Sequence, residues 1–162
     1  MRLIRIDETQ AADAAVLLAD FRVTLRGYKG IVSDPDVKDA LEEMREYLRR
    51  GWPVYAAEDE DALAGYMVLR IEDGVLWVEH LFVRPEYRRR GAGTLLFEKA
   101  EETARAMGED TVYNFVHPNN DGMIAFLRKR GYTVLNMIEI RKPYADEQTK
   151  TTVRVGENVF DY

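Results

Sequence analysis

The chain has 162 residues, of which 46% are hydrophobic and 32% charged, with 29 acidic against 23 basic side chains and a net charge of −6. That length suits one domain with a real core, and the acidity argues against broad nucleic-acid binding, which needs a basic footprint. There is no cysteine, so disulfides, thiolate nucleophiles and cysteine-held zinc are excluded.

In chain order, residues 2–6 alternate polar and apolar and predict a short strand. Residues 11–22 are rich in alanine and leucine and predict a helix, and residues 23–32, with Gly27 and Gly30, predict a loop or a broken helix. Asp34-Pro35 reads as the cap and first position of a second helix, with Val37, Leu41, Met44 and Leu48 on one face and Gly51 as its stop. Residues 54–58 and 63–71 predict a hairpin, and Glu72-Asp73-Gly74 a further turn. Residues 75–83, Val-Leu-Trp-Val-Glu-His-Leu-Phe-Val, are nearly all apolar, as in a central strand covered on both faces.

Residues 95–107 predict an amphipathic helix facing inward through Leu96, Ala100, Thr103 and Met107, widened by Phe97 and Ala104. Strands at 111–116 and 132–141, a short helix at 119–130 closed by Gly131, and a last strand within 151–160 complete the pattern. The order β-α-α-β-β-β-α-β-α-β-β implies an α/β fold, a mixed sheet with helices on both faces, in a single domain over 1–162. The N-terminus lacks the apolar run of a signal peptide, and no stretch approaches the roughly 18 apolar residues of a membrane span. A soluble cytoplasmic protein, with no membrane or nucleic-acid partner, is the expectation.

Between the strand ending at Val83 and the helix beyond it lies Arg88-Arg89-Arg90-Gly91-Ala92-Gly93-Thr94. The first turn of a helix carries unpaired N–H groups and the positive end of the helix dipole, and glycines let a ligand approach the backbone. With three arginines beside it, this is chemistry suited to a pyrophosphate. The run is not a P-loop, and position 96 is Leu where a dinucleotide fingerprint starting at Gly91 needs its third glycine.

The remaining pattern, Arg-x-x-Gly-x-Gly from Arg88 to Gly93, resembles the acyl-CoA signature of the Gcn5-related N-acetyltransferase (GNAT) superfamily. Its approach through Leu81-Phe82-Val83-Arg84-Pro85-Glu86-Tyr87 is similar, as is the later segment from Asn120 through residues 124–130 to Gly131-Tyr132. The resemblance covers residues 75–140, and in the N-terminal half only the element order matches.

It implies a sheet splayed between the fourth and fifth strands. A bulge in the fourth would leave backbone groups of Leu81, Phe82 and Val83 for the pantetheine arm. The segment of Arg88, Arg89, Arg90, Gly91, Ala92, Gly93 and Thr94 would hold the pyrophosphate, and Asn120 would contact the CoA arm. Helix capping is the other reading of Asn119 and Asn120.

The implied activity is transfer of an acetyl group from acetyl-CoA, with no metal, to a primary amine on a small molecule or peptide, by direct attack in a ternary complex. Glu79, a charge within the apolar strand, is the candidate base, and a salt-bridged Glu79 is the structural alternative. His80 should face away from it by alternation and pack under a helix, while His117 suits a loop. Many relatives carry a tyrosine acid where this chain has Leu127. Tyr113, Tyr132 or water stand in for it, and no general acid is assigned. That gap keeps a second reading open, a non-catalytic acyl-CoA-binding module. Phe21, Arg22, Leu25 and Tyr28 lie where the family often builds its acceptor pocket. The apolar tail at 153–160 points to completion of the sheet or pairing in a homodimer.

Overall fold

A computed structural model describes residues 1–162. They form two compact units, Met1–Phe115 and Val116–Tyr162, which are taken separately.

The first unit holds strands β1 (Arg2–Arg5), β2 (Val54–Asp59), β3 (Ala62–Glu72), β4 (Val75–Val83) and β5 (Tyr113–Asn114), with helices α1 (Ala11–Tyr28), α2 (Val37–Arg49) and α3 (Ala92–Ala106). The strands lie side by side in chain order, antiparallel from β1 to β4, with β5 parallel to β4. Alternation divides the side chains of β2 and β3 between two cores. Val54, Ala56, Tyr66 and Val68 pack with Leu17, Leu18 and Met44 of α1 and α2. Ala57, Met67 and Leu69, equally buried, point to the other side, where α3 buries Leu96, Phe97 and Ala100. The mixed sheet with helices on both faces is thus as the sequence implies.

Several boundaries differ from expectation. Helix α1 runs on unbroken to Tyr28 through the stretch read as loop or broken helix, because its last turns are tied down. Thr24 Oγ1 donates to Asp20 O (3.0 Å), and the Arg22 guanidinium bonds Asp39 (2.6 Å) and Glu43 on α2. The cap of α2 is Asp36, which accepts from the Asp39 N–H at 3.0 Å, rather than Asp34. Two capping aspartates stand two residues apart, and composition does not choose between them. On α2 the fully buried side chains are Ala40 and Met44, while Val37 is 41% exposed. Helix α3 starts at Ala92, three residues earlier than expected, because Gly91 adopts φ +95° and turns the chain straight into it. Strand β5 is only two residues long. Strand β4 is therefore half-covered, with Leu76, Val78 and Phe82 its buried residues, instead of covered throughout.

The second unit holds α4 (Asp121–Lys129), β6 (Thr152–Val155) and β7 (Asn158–Asp161). The tail closes on itself as a hairpin, with Val155 opposite Asn158 and Gly156 at φ +60° supplying the turn. It is therefore not a lone apolar strand, which removes the reason for pairing it with another subunit. Residues 132–141, expected as a strand, pair with no strand of this unit.

Candidate active site

The register between β3 and β4 slips once. Val68 faces His80, yet Leu69 faces Val78, so Glu79 is the extra residue of a β-bulge. The bulge breaks strand alternation. On β3, Tyr66, Val68 and Arg70 share a face, and on that face Tyr66 bonds His80 while Arg70 bonds Glu79. Glu79 and His80 therefore lie on the same side, contrary to the alternation argument.

Arg70 Nε donates to Glu79 Oε2 at 2.7 Å, and Arg70 Nη1 donates to Glu72 at 2.9 Å. The guanidinium sits 5.2 Å from the Trp77 ring centroid and 5.9 Å from that of Phe115. Trp77 stacks on Phe115 (4.6 Å) and leans on Tyr113 (4.8 Å). Glu79 is thus salt-bridged, with a fixed orientation, and Oε1 is its remaining acceptor.

His80 lies among Phe21, Tyr47 and Tyr66, with Nδ1 3.0 Å from the Tyr66 hydroxyl. Burial pushes its imidazole down to about 4, against the smaller upward pull of Glu43 and Glu79. It is a neutral core residue under α1 and α2, as expected. Burial also raises the Tyr47 and Tyr66 hydroxyls above the ordinary phenol range. Tyr47 bonds Glu43, which also bonds Arg22, so this polar cluster ties α1 and α2 together beneath the sheet.

Beyond the bulge, β4 loses one neighbour. Its pairing with β5 is limited to Trp77↔Tyr113 and Val78↔Asn114, so the stretch from Glu79 to Val83 has an open edge. Backbone groups in an antiparallel ladder alternate between the two edges. Arg84 N–H donates to Ala64 O (3.0 Å), so Arg84 and Phe82 turn their groups to β3, and Leu81 and Val83 turn theirs to the open side. One of these is already engaged, since Arg88 Nε donates to Val83 O at 3.0 Å. The bulge and splay are where the resemblance put them, and two of its three backbone residues aim into the gap.

From β4 the chain passes through a single 3-10 turn, Pro85–Tyr87, into the arginine-glycine segment. Arg90 is held by Asp59 (2.8 Å) and lies over the Tyr87 ring. Arg89 takes φ +61° and Gly91 φ +95°, so the backbone turns twice in the left-handed region. The first bond into α3 is Leu95 N–H to Gly91 O (2.9 Å). No side chain caps this helix and no acidic residue stands in its first turn. The N–H groups of Ala92, Gly93 and Thr94 thus lack the usual partner at the dipole's positive end. A Cβ on Gly91 would meet no atom within 4 Å, so the space in front of it is open. Uncapped amides, open space and nearby guanidinium groups fit a diphosphate.

A cleft of about 310 Å³ lies beside the end of β4, lined by Asp20, Val23 and Thr24 of α1 with Phe82, Arg84, Pro85 and Glu86. Of the four acceptor-side residues suggested by the sequence, none lines it, although Val23 and Thr24 belong to the same stretch of α1. Phe21 packs into the core against His80 and Phe82, and Arg22 is bonded to α2. The cleft depends on α1 continuing past residue 22, so composition did not reveal it.

In the second unit, Asn120 is the cap of α4, its Oδ1 accepting from the Met123 N–H at 3.1 Å. This is one of the two readings its position allowed. Leu127 is buried and offers no acid. The Tyr162 hydroxyl reaches His117 Nε2 at 2.6 Å. No helix in the chain is long and apolar enough to cross a membrane.

Comparisons with known proteins bear on the family and the fold. The sequence model of the acetyltransferase (GNAT) family matches residues 20–132. An uncharacterised N-acetyltransferase from the pepI 3′ region of Lactobacillus delbrueckii subsp. lactis is 29% identical over 87 residues, 49% of this chain and 50% of that protein. An uncharacterised N-acetyltransferase of Methanocaldococcus jannaschii is 38% identical over 55 residues, 34% of this chain and 24% of that one. The matched regions thus span half or less of these curated relatives. Among solved structures, AAC(6′)-Iy bound to the bisubstrate analogue CoA-S-monomethyl-acetylneamine superposes with a TM-score of 0.68 at 19% identity, covering 88% of this chain and 98% of that one. The ribosomal-protein-alanine N-acetyltransferase of Brucella melitensis biovar Abortus 2308 gives 0.67 at 13% identity, covering 89% and 100%. At these identities the structures show a shared fold.

Proposed function

Since this chain belongs to the acetyltransferase (GNAT) family, we propose that it transfers an acyl group, acetyl in the first instance, from acyl-CoA to a primary amine by direct attack in a ternary complex. The observation that carries the reading is the uncapped start of α3 beside the open edge of β4. Amides of Ala92, Gly93 and Thr94 would receive the pyrophosphate, with Arg88, Arg89 and Arg90 adding positive charge. The backbone groups of Leu81 and the N–H of Val83 would hold the pantetheine arm like an added strand, with the Val83 carbonyl already taken by Arg88.

This arrangement divides the chemistry simply. The acceptor amine is mostly protonated at neutral pH, with an ordinary pKa of about 10.4, so it must lose a proton before it attacks. Glu79, oriented by Arg70, offers Oε1 to take that proton directly or through water. A backbone N–H on the open edge of β4 would face the oxygen that gains charge as the carbonyl is attacked. The thiol leaves as a stable thiolate and needs less help than an alkoxide. That suits a chain with Leu127 where many relatives carry tyrosine. The soluble, cytoplasmic setting and amine-bearing acceptor remain part of the same proposal.

Because the chain has no cysteine, a thiol reagent detects only released CoA. Acetyl-CoA with a panel of polyamines, amino acids, aminoglycosides and peptides should give amine-stimulated thiol release. Tight CoA binding with no release on any amine would favour the second reading, a binding module without chemistry, which the missing tyrosine supports.

A further inference from the structure

The three arginines beside the start of α3 are not equivalent. Arg88 Nε donates to Val83 O at 3.0 Å, and Arg90 Nη2 donates to Asp59 Oδ2 at 2.8 Å. Between them Arg89 takes φ +61°, a region that residues other than glycine rarely enter, and Gly91 follows at φ +95°. Arg90 thus sits between two left-handed residues. Backbone held this way persists only where surrounding structure over-determines it.

Asp59 is placed to do so. It is the last residue of β2 and pairs with Ala62 across the hairpin, so the sheet fixes its backbone. Its side chain is 20% exposed against 54% for Arg90, so the guanidinium reaches inward to a mostly buried carboxylate. The Tyr87 ring, in the 3-10 turn before the segment, lies 5.2 Å from the same guanidinium. Arg90 is therefore held from the sheet on one side and from the incoming chain on the other. An ion pair in open water adds little, but this one joins residues 31 positions apart and spans the turn that aims the first amides of α3. A carboxylate this near an anion site also repels a diphosphate, so its presence calls for a compensating role.

We propose that Asp59 is a positioning residue for the cradle. Through Arg90 it holds the double left-handed turn that presents the amides of Ala92, Gly93 and Thr94. The charge of Arg90 still adds to the local field, while its hydrogen bond serves the protein's own backbone. The inference rests on the reading of this segment as an acyl-CoA cradle.

CoA affinity measured by calorimetry in Asp59→Asn, Arg90→Gln and the double variant tests it, together with ¹⁵N amide spectra of each ligand-free protein. Without the clamp only part of the population has the turn in place, and each single change should weaken CoA binding about tenfold. The double change should weaken it no further, because the two residues act as one unit. Asp59→Glu, which keeps the carboxylate, should recover most of the loss. In the ligand-free spectra the Arg89 and Gly91 amides should move alike in Asp59→Asn and Arg90→Gln. Tighter CoA binding in Asp59→Asn would overturn the proposal, since Asp59 would then be only a competing anion. So would unchanged affinity in Asp59→Asn, or losses that add in the double variant. No CoA binding by the unaltered protein would overturn the cradle reading itself, and this inference with it, before any variant is compared.

Discussion

Arg70 and Glu79 are bonded across the bulge in β4, Nε to Oε2 at 2.7 Å, so the carboxylate of Glu79 is held in place by a permanent cation. The same guanidinium rests on Trp77 and Phe115. On this reading Arg70 aims the base and Glu79 takes the proton.

Glu79→Gln keeps the shape and removes the base. Turnover should fall by about 10²–10⁴, while the Kd for CoA, measured by calorimetry, stays within about twofold. Turnover close to that of the unaltered protein would remove Glu79 from the mechanism. Arg70→Met should lower turnover less and leave CoA affinity equally intact, because the carboxylate remains but loses its aim.

Gly91→Val places a β-branched side chain at φ +95° and fills the open space before the first turn of α3. The strained backbone costs roughly 1–3 kcal/mol. CoA affinity should drop at least 30-fold with the fold retained by circular dichroism. Unchanged affinity in a folded variant would count against the cradle.

Gly65 lies against β4, where an added Cβ would come 2.5 Å from Phe82 O, a backbone atom that cannot swing aside. Gly65→Ala should lower the melting temperature by several degrees, as expected for a loss of about 1–3 kcal/mol. It should also weaken CoA binding, because β4 moves at Phe82 and Val83. A variant with unchanged melting temperature and affinity would show that β4 is not packed as described.

His80 makes stability depend on pH. In the unfolded chain its imidazole protonates near 6.5, and in the folded chain only near 4. Between those values the unfolded state binds the extra proton, so stability falls as pH drops from about 6.5 to about 4 and changes no further below that. The shift corresponds to about 3 kcal/mol. Denaturant midpoints across this window should be flatter in His80→Gln than in the unaltered chain. Parallel curves would show that His80 is not buried as a neutral group.

Much of this was legible from residues alone. Short-range signals carried the hairpin at 59–62, the turn at 73–74, the inward face of α3 and the arginine-glycine segment, because each depends on neighbours in sequence. What escaped depends on contacts far apart in the chain. The length of α1 is set by Arg22 reaching Asp39 and Glu43. The place of the bulge, and hence the shared face of Glu79 and His80, is set by a register between strands. The apolar run at 132–141 reads as a strand by pattern, yet a strand exists only with a partner, and the sheet of its own unit is made by β6 and β7 alone.

The central claim, that the first amides of α3 and the free edge of β4 receive acyl-CoA, is tested most directly by titrating ¹⁵N-labelled protein with CoA and following backbone amide shifts. The account predicts saturable binding with the largest changes at Leu81, Val83, Gly91, Ala92, Gly93 and Thr94. Saturable binding that leaves those amides unmoved, or no binding at millimolar CoA, would contradict it.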